Sequence, residues 1–160
     1  MEKATRKDAG PARQAGILIL VLGGMLAGCG EPGVGPEEQI KLWVERGQIA
    51  AETKERGDLV DMISPAYADA RGNERGDIEN MFRLYFLRQN SITLLTSIEE
   101  IRIIGDSVAE VELTVGMAGR NDGVLGFSAD AYKFELELER DGDEWQLISA
   151  RWGELGKEMH

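Results

Sequence analysis

Two hydrophobic periods divide the chain. Between Pro36 and Arg88 apolar residues recur every three or four positions, and after Asn90 they recur every two. The first period predicts three helices. Pro36-Glu37-Glu38 opens the first: proline fits an initial helical position, and acids favour the positive end of the helix dipole. Ile40, Trp43, Val44, Gly47 and Ala51 follow at helical spacing. Gly57 is expected to end this helix and Asp58 to cap a short second one, whose apolar side is Leu59, Val60, Met62 and Ile63 and which Pro65 limits. Tyr67 to Asn73 reads as a connection. A third helix is predicted from Glu74 or Asp77 to Arg88, with Ile78, Met81, Phe82 and Tyr85 on one face and Leu84 and Leu87 widening it.

The second period predicts four antiparallel strands. Ile92 to Leu95 and Ile98 to Ile104 suggest one long, bent strand. From Val108 to Met117, Ala109, Val111, Leu113, Val115 and Met117 alternate with Glu110, Glu112 and Thr114, so the apolar set faces a core and the acidic set faces out. From Phe127 to Arg140 the apolar residues occupy odd positions (Phe127, Ala129, Ala131) and then even ones (Tyr132, Phe134, Leu136, Leu138), a switch that predicts a bulge near Ala131. Asp141-Gly142 turns the chain into a last strand, Trp145 to Trp152. Three helices followed by a curved four-stranded antiparallel meander give an α+β domain over residues 37–156, with 157–160 a short tail.

The N-terminus follows neither period. A basic stretch precedes the apolar run Ile17-Leu18-Ile19-Leu20-Val21-Leu22, too short to span a bilayer, which takes roughly 20 residues. Leu26-Ala27-Gly28-Cys29 comes next and resembles the bacterial lipobox. The resemblance implies residues 1–28 as a lipoprotein signal peptide, thioether lipidation of Cys29 and cleavage before it. Two or three acyl chains make a nearly permanent membrane anchor, since each buried methylene contributes about 0.8 kcal/mol. Residues 29–36, rich in Gly and Pro, then form a short tether. Gly30, rather than Asp, after the cysteine favours the periplasmic face of the outer membrane.

Charge and composition narrow the chemistry. The net charge is −11, and the four cations and two acids before Cys29 contribute +2, leaving −13 beyond it. Such a surface repels phosphate backbones, so nucleic acid is not an expected partner. Cys29 is the one cysteine and His160 the one histidine. That leaves no intramolecular disulfide, no thiolate zinc site and no Ser-His or Cys-His pair in the domain, and no metal or cofactor is expected. Arg56-Gly57-Asp58 and Arg75-Gly76-Asp77 both spell an adhesion tripeptide, but both stand where a helix begins, so capping accounts for the Asp residues.

The element order, the long bent strands, the Tyr67–Asp69 connection and the closing Trp145-Gln146-Leu147-Ile148-Ser149-Ala150-Arg151-Trp152 resemble the nuclear transport factor 2-like superfamily, which includes ketosteroid isomerase, scytalone dehydratase and limonene epoxide hydrolase. The resemblance implies a cone with a cavity between helices and sheet, lined by Trp43, Tyr67, Phe82, Tyr85, Phe127, Tyr132 and Trp152. Catalysis in such a cavity needs a tuned acid or base, and the candidates are the carboxyls of Asp69 and Asp130 with the phenols of Tyr67, Tyr85 and Tyr132. The isomerase, dehydratase and hydrolase groups do not map residue by residue. The favoured reading is therefore a non-catalytic domain, tethered to the membrane, that binds a small apolar ligand or an envelope protein. The alternative is an enzyme acting on a hydrophobic small molecule. Mass spectrometry of the membrane fraction checks the anchor: the expected species begins at Cys29 and carries acyl chains, and an unmodified or differently cut N-terminus contradicts it.

Overall fold

The computed structural model describes residues 34–120 and 127–157, with backbone alone at 127 and 128. Cys29, everything before it, the tether as far as 33 and the tail at 158–160 lie outside those residues. Three helices, α1 (Pro36–Thr53), α2 (Arg56–Asp61) and α3 (Arg75–Arg88), precede four strands, β1 (Ser91–Ile104), β2 (Val108–Arg120), β3 (Phe127–Asp141) and β4 (Glu144–Glu154). The strands form one antiparallel sheet in the order β1-β2-β3-β4.

Helix ends depart from the sequence reading at two places: α2 stops at Asp61, so that Met62 and Ile63 follow it and Ile63 bridges to Leu147 of β4, and α1 ends early. α1 stops at Thr53, and Lys54, not Gly57, takes the left-handed conformation that ends it, at φ 60°. The cost of placing a side chain there is offset by the Lys54 ammonium, which donates to the backbone carbonyls of Gln89 and Asn90 where α3 runs into β1. Gly57 and Asp58 thereby fall inside α2. α3 starts with a capping box in which Glu74 and Asp77 satisfy each other's backbone N–H groups. Its inward face is narrower than the spacing suggested. Ile78 is buried and Phe82, Tyr85 and Phe86 are half-buried, whereas Met81, Leu84 and Leu87 are exposed.

One face of the sheet packs on the helices. The core joins Ile40 and Val44 of α1, Ile63, Tyr67 and Ile78 to Ala109, Val111, Leu113 and Val115 of β2, Leu136 and Leu138 of β3, and Trp145 and Ala150 of β4. Register shifts fall between Ile98 and Glu100 on β1 and, opposite Glu137 and Leu138 of β3, between Leu147 and Ser149 on β4. Around Ala131 there is none: the β2–β3 ladder runs unbroken from Val108↔Glu139 to Arg120↔Phe127. The expected bulge is absent because Ala129 and Ala131 are small enough for the outer face, while an acid, Asp130, stands at a core-facing position.

The outer face sets carboxylates opposite each other, Glu110↔Glu137 and Glu112↔Glu135. Like charges directly opposite destabilise a sheet. Basic residues interleave to relieve this. Arg102 pairs with Glu110 at 2.7 Å, Lys133 with Glu112 at 2.8 Å, and Arg151 with Glu135. The free edge of β4 is covered by the α2–α3 connection. The Leu147 N–H donates to the Met62 carbonyl, the Ser64 N–H to the Leu147 carbonyl and the Ala68 N–H to the Ile148 carbonyl, so this edge offers no template for another strand. Leu138 is fully buried. Leu138→Ala is expected to lower the urea midpoint by the equivalent of about 3 kcal/mol at unchanged m. Leu87→Ala, at 78% exposure, is expected to move it by less than about 0.5 kcal/mol.

Candidate functional site

Near α3 the core is not closed. The concave rows Ile92-Leu94-Thr96 of β1, Leu113-Val115-Met117 of β2 and Phe134-Leu136 of β3 face Trp43, Gln48 and Ala51 of α1, Leu59 and Met62 at α2, and Phe82, Tyr85 and Phe86 of α3. Between them lies a cavity of about 260 Å³. Phe82 and Phe86, one turn apart, stack along its helical wall with centroids at 6.2 Å. Gly47 lets α1 approach Met62, whose methyl would stand 3.2 Å from an added Cβ.

Among the described residues no charged side chain lines the cavity. Its polar groups are few. Gln48 spends its amide on the Leu94 carbonyl at 3.3 Å. Thr96 and the Tyr85 phenol contribute hydroxyls. The indole N–H of Trp43, another wall residue, is buried and has no acceptor among the described residues. A buried donor left without a partner costs about 1–3 kcal/mol.

The β2–β3 register extends these rows past the cavity. Val115 pairs with Tyr132, and Met117 with Asp130. Directly opposed residues of an antiparallel ladder project to the same face, so Tyr132 and Asp130 continue the concave surface. The Tyr132 ring packs 6.4 Å from that of Phe134. Asp130 is exposed. The Tyr85 phenol is held above its usual pKa by burial first, then by the negative charge of Asp130 and by Tyr132. Tyr132 is raised in the same way, by burial and then by Asp130 and Glu154. Both phenols are therefore neutral donors at physiological pH.

Of the seven aromatics expected to line the cavity, Trp43, Phe82 and Tyr85 do so. Tyr132 lies just beyond. The side chain of Phe127 is outside the described residues. Tyr67 and Trp152 belong to a second cluster beside β4. The Tyr67 hydroxyl donates to Asp69 at 3.2 Å, and Arg71 stacks over the Trp152 ring at 4.5 Å while donating to its carbonyl. Asp69, also a candidate catalytic acid, is fully engaged there: it accepts from the backbone N–H groups of Arg71 and Asn73, each at 2.9 Å, and from the Asn73 amide at 2.8 Å. Asp69 thus serves as a staple that shapes the connection, and Asp130 is the candidate carboxylate on the cavity side. Phe86, Gln48 and Thr96 were not among the expected wall residues. Phe86 falls four residues after Phe82, a spacing that could have found it. Among the described residues no group of three or more His, Cys, Asp or Glu side chains is placed to hold a metal ion.

No protein-family model and no curated protein sequence matches the chain. Solved structures do. A candidate scytalone dehydratase of Novosphingobium aromaticivorans superposes with a TM-score of 0.68 at 9% identity, over 78% of this chain and 85% of its own. A candidate dehydratase of the nuclear transport factor 2-like family from Streptomyces avermitilis gives 0.65 at 14% identity, over 76% and 97%. A ketosteroid isomerase-like protein of Erwinia carotovora atroseptica gives 0.60 at 10% identity, over 74% and 95%. The domain has the nuclear transport factor 2-like fold. At such identities the likeness concerns the fold, and one fold hosts many functions.

The staple sets a pH dependence. Burial alone would raise the Asp69 pKa, but the hydrogen bonds from Asn73, Arg71 and Tyr67 outweigh it and hold the carboxyl below its usual range. A carboxyl whose folded pKa is depressed stabilises the fold above its unfolded pKa, and that contribution is lost as pH falls through the folded value. Asp69→Asn is expected to flatten the acid side of the stability–pH profile, read by urea midpoints below roughly pH 5. Asp69→Ala is expected to cost about 1–3 kcal/mol at neutral pH.

Proposed function

We propose that this protein is a lipoprotein of the bacterial cell envelope, anchored through acyl chains on Cys29, whose nuclear transport factor 2-like domain binds a small apolar ligand in the cavity without transforming it. In this reading Gly30, rather than Asp, after the cysteine favours the periplasmic face of the outer membrane. One observation carries the binding reading: a cavity of about 260 Å³ whose wall, among the described residues, contains no charged side chain. Small-molecule sites are concave and mostly apolar, with a few polar groups that orient the ligand, and typically measure about 300–1,000 Å³. This cavity lies just below that range, so the ligand is compact. The Trp43 N–H without an acceptor supports the same reading. The ion-paired outer face of the sheet favours a ligand over an envelope protein as the primary partner.

Catalysis is the second reading, favoured by Asp130 standing in the cavity's own row beside two phenols. A carboxylate base with neutral hydroxyl donors suits proton transfer on a hydrophobic substrate. Structural neighbours named for dehydratase and isomerase chemistry keep that reading in view.

Native mass spectrometry of the full chain released from its own membrane is expected to show a retained small molecule. Ala51→Phe, which places a ring into the cavity from α1, is expected to weaken that binding by about tenfold or more. Equal occupancy in the two proteins contradicts the reading. Turnover of a hydrophobic enone or epoxide that falls by about a hundredfold in Asp130→Asn decides for catalysis instead.

A further inference from the structure

Asp130 interrupts a row that is otherwise apolar. Along β3 the concave positions are Leu138, Leu136, Phe134, Tyr132 and then Asp130, and across the ladder Asp130 faces Met117, a wall residue of the cavity. A charged residue at a position the pattern reserves for the interior is the kind of local exception found at functional sites. Its surroundings bear this out. Tyr132 stands two residues along β3 in the same row and Tyr85 of α3 lies in the cavity wall, and the negative charge of Asp130 raises the pKa of both phenols. The end of β4 closes in from the other side, where the Leu155 N–H donates to the Ala131 carbonyl at 2.8 Å. The other charges acting on this rim are Glu154 and Lys157, which pair with each other. Asp130 has no ion-pair partner among the described residues. Among the described residues the rim therefore presents one negative charge without an ion-pair partner, in the same row as Tyr132 and beyond the apolar wall of the cavity.

We infer that the cavity selects ligands with a compact apolar body and a positively charged nitrogen, and that Asp130, flanked by Tyr85 and Tyr132, is the residue that recognises the nitrogen. The inference rests on the binding reading of the cavity and adds the ligand's charge. The apolar body fills the space between α3 and the β1–β3 rows. The head group stays at the rim, where it keeps much of its hydration, meets the Asp130 carboxylate and has the faces of tyrosine rings within reach for cation–π contact. A carboxylate head group in the same pose meets repulsion from Asp130, so fatty acids are selected against, a specificity that rests on the unfavourable contact as much as on the favourable one.

The test uses the full chain in phosphatidylcholine nanodiscs, titrated at pH 7 with octylamine, 1-octanol and octanoate, which share one apolar body and differ in head-group charge. Tryptophan fluorescence is the readout, with empty nanodiscs subtracted. Octylamine is expected to bind about fivefold more tightly than octanol, the size of one partly exposed ion pair, and octanoate more weakly than octanol. Asp130→Asn is expected to bring the amine-to-alcohol ratio to about one, while Glu137→Gln on the outer face leaves the ratio at the wild-type value. The preference is also expected to shrink as salt is raised, since it acts across solvent-accessible space. Saturable octanol binding with no amine preference, a preference that survives Asp130→Asn, or octanoate binding as tightly as octanol overturns the charge inference and leaves the cavity reading standing. No saturable binding of any of the three overturns both.

Discussion

The register of β2 against β3 is the constraint on which the rest of the structure depends. Leu113↔Phe134, Val115↔Tyr132 and Met117↔Asp130 are fixed by one uninterrupted ladder. A slip of one residue would exchange every concave side chain for a convex one, turning Glu110, Glu112 and Glu135 toward the helices and Val111, Leu113 and Leu136 into water. The buried face selects against that slip, and the same selection places a carboxylate at the end of the cavity. Core stability and site geometry are two outcomes of one pairing.

The helices leave the sheet incompletely filled. α1 meets the lower concave face through Ile40 and Val44, and the α2–α3 connection seals the β4 edge through backbone hydrogen bonds and the Tyr67–Asp69–Asn73 staple. α3 covers the remaining opening with Phe82, Tyr85 and Phe86, while its Leu84 and Leu87 turn to solvent. Interiors normally pack to crystal-like density. A wall made of aromatic rings and long apolar side chains that still leaves about 260 Å³ unfilled forfeits dispersion contacts that a ligand can restore. The uncompensated Trp43 donor is a second deficit in the same wall.

Much of this was legible in the sequence. The change of period at Asn90 gave the order of helices and strands, and strict alternation in β2 gave its buried face. Trp43, Phe82 and Tyr85 were recognisable because aromatic residues at inward helical positions have nowhere else to go. Tyr67 and Trp152 were not assignable to the correct cluster, because an aromatic residue reads as buried without saying against what. Lys54 was invisible as a helix terminator, since its left-handed backbone depends on carbonyls 35 and 36 residues further along the chain. The break in β3 was read as a bulge when its cause was chemical: two alanines small enough to face out, and one acid facing the cavity row. The pattern within one strand does not show which residues of its neighbour it pairs with, so it could not tell a shifted strand from a polar residue standing in the apolar row.

Ligand binding requires that the space between α3 and the concave sheet be open in solution. Apolar cavities admit xenon. ¹²⁹Xe NMR of the full chain under xenon pressure tests this directly, with Val115→Phe, which fills the middle of the cavity, as the comparison. Saturable xenon binding in the wild-type protein, lost in the filled variant, is the predicted result. A shift that grows linearly with pressure and is the same in both proteins would mean a closed core, and would contradict the account.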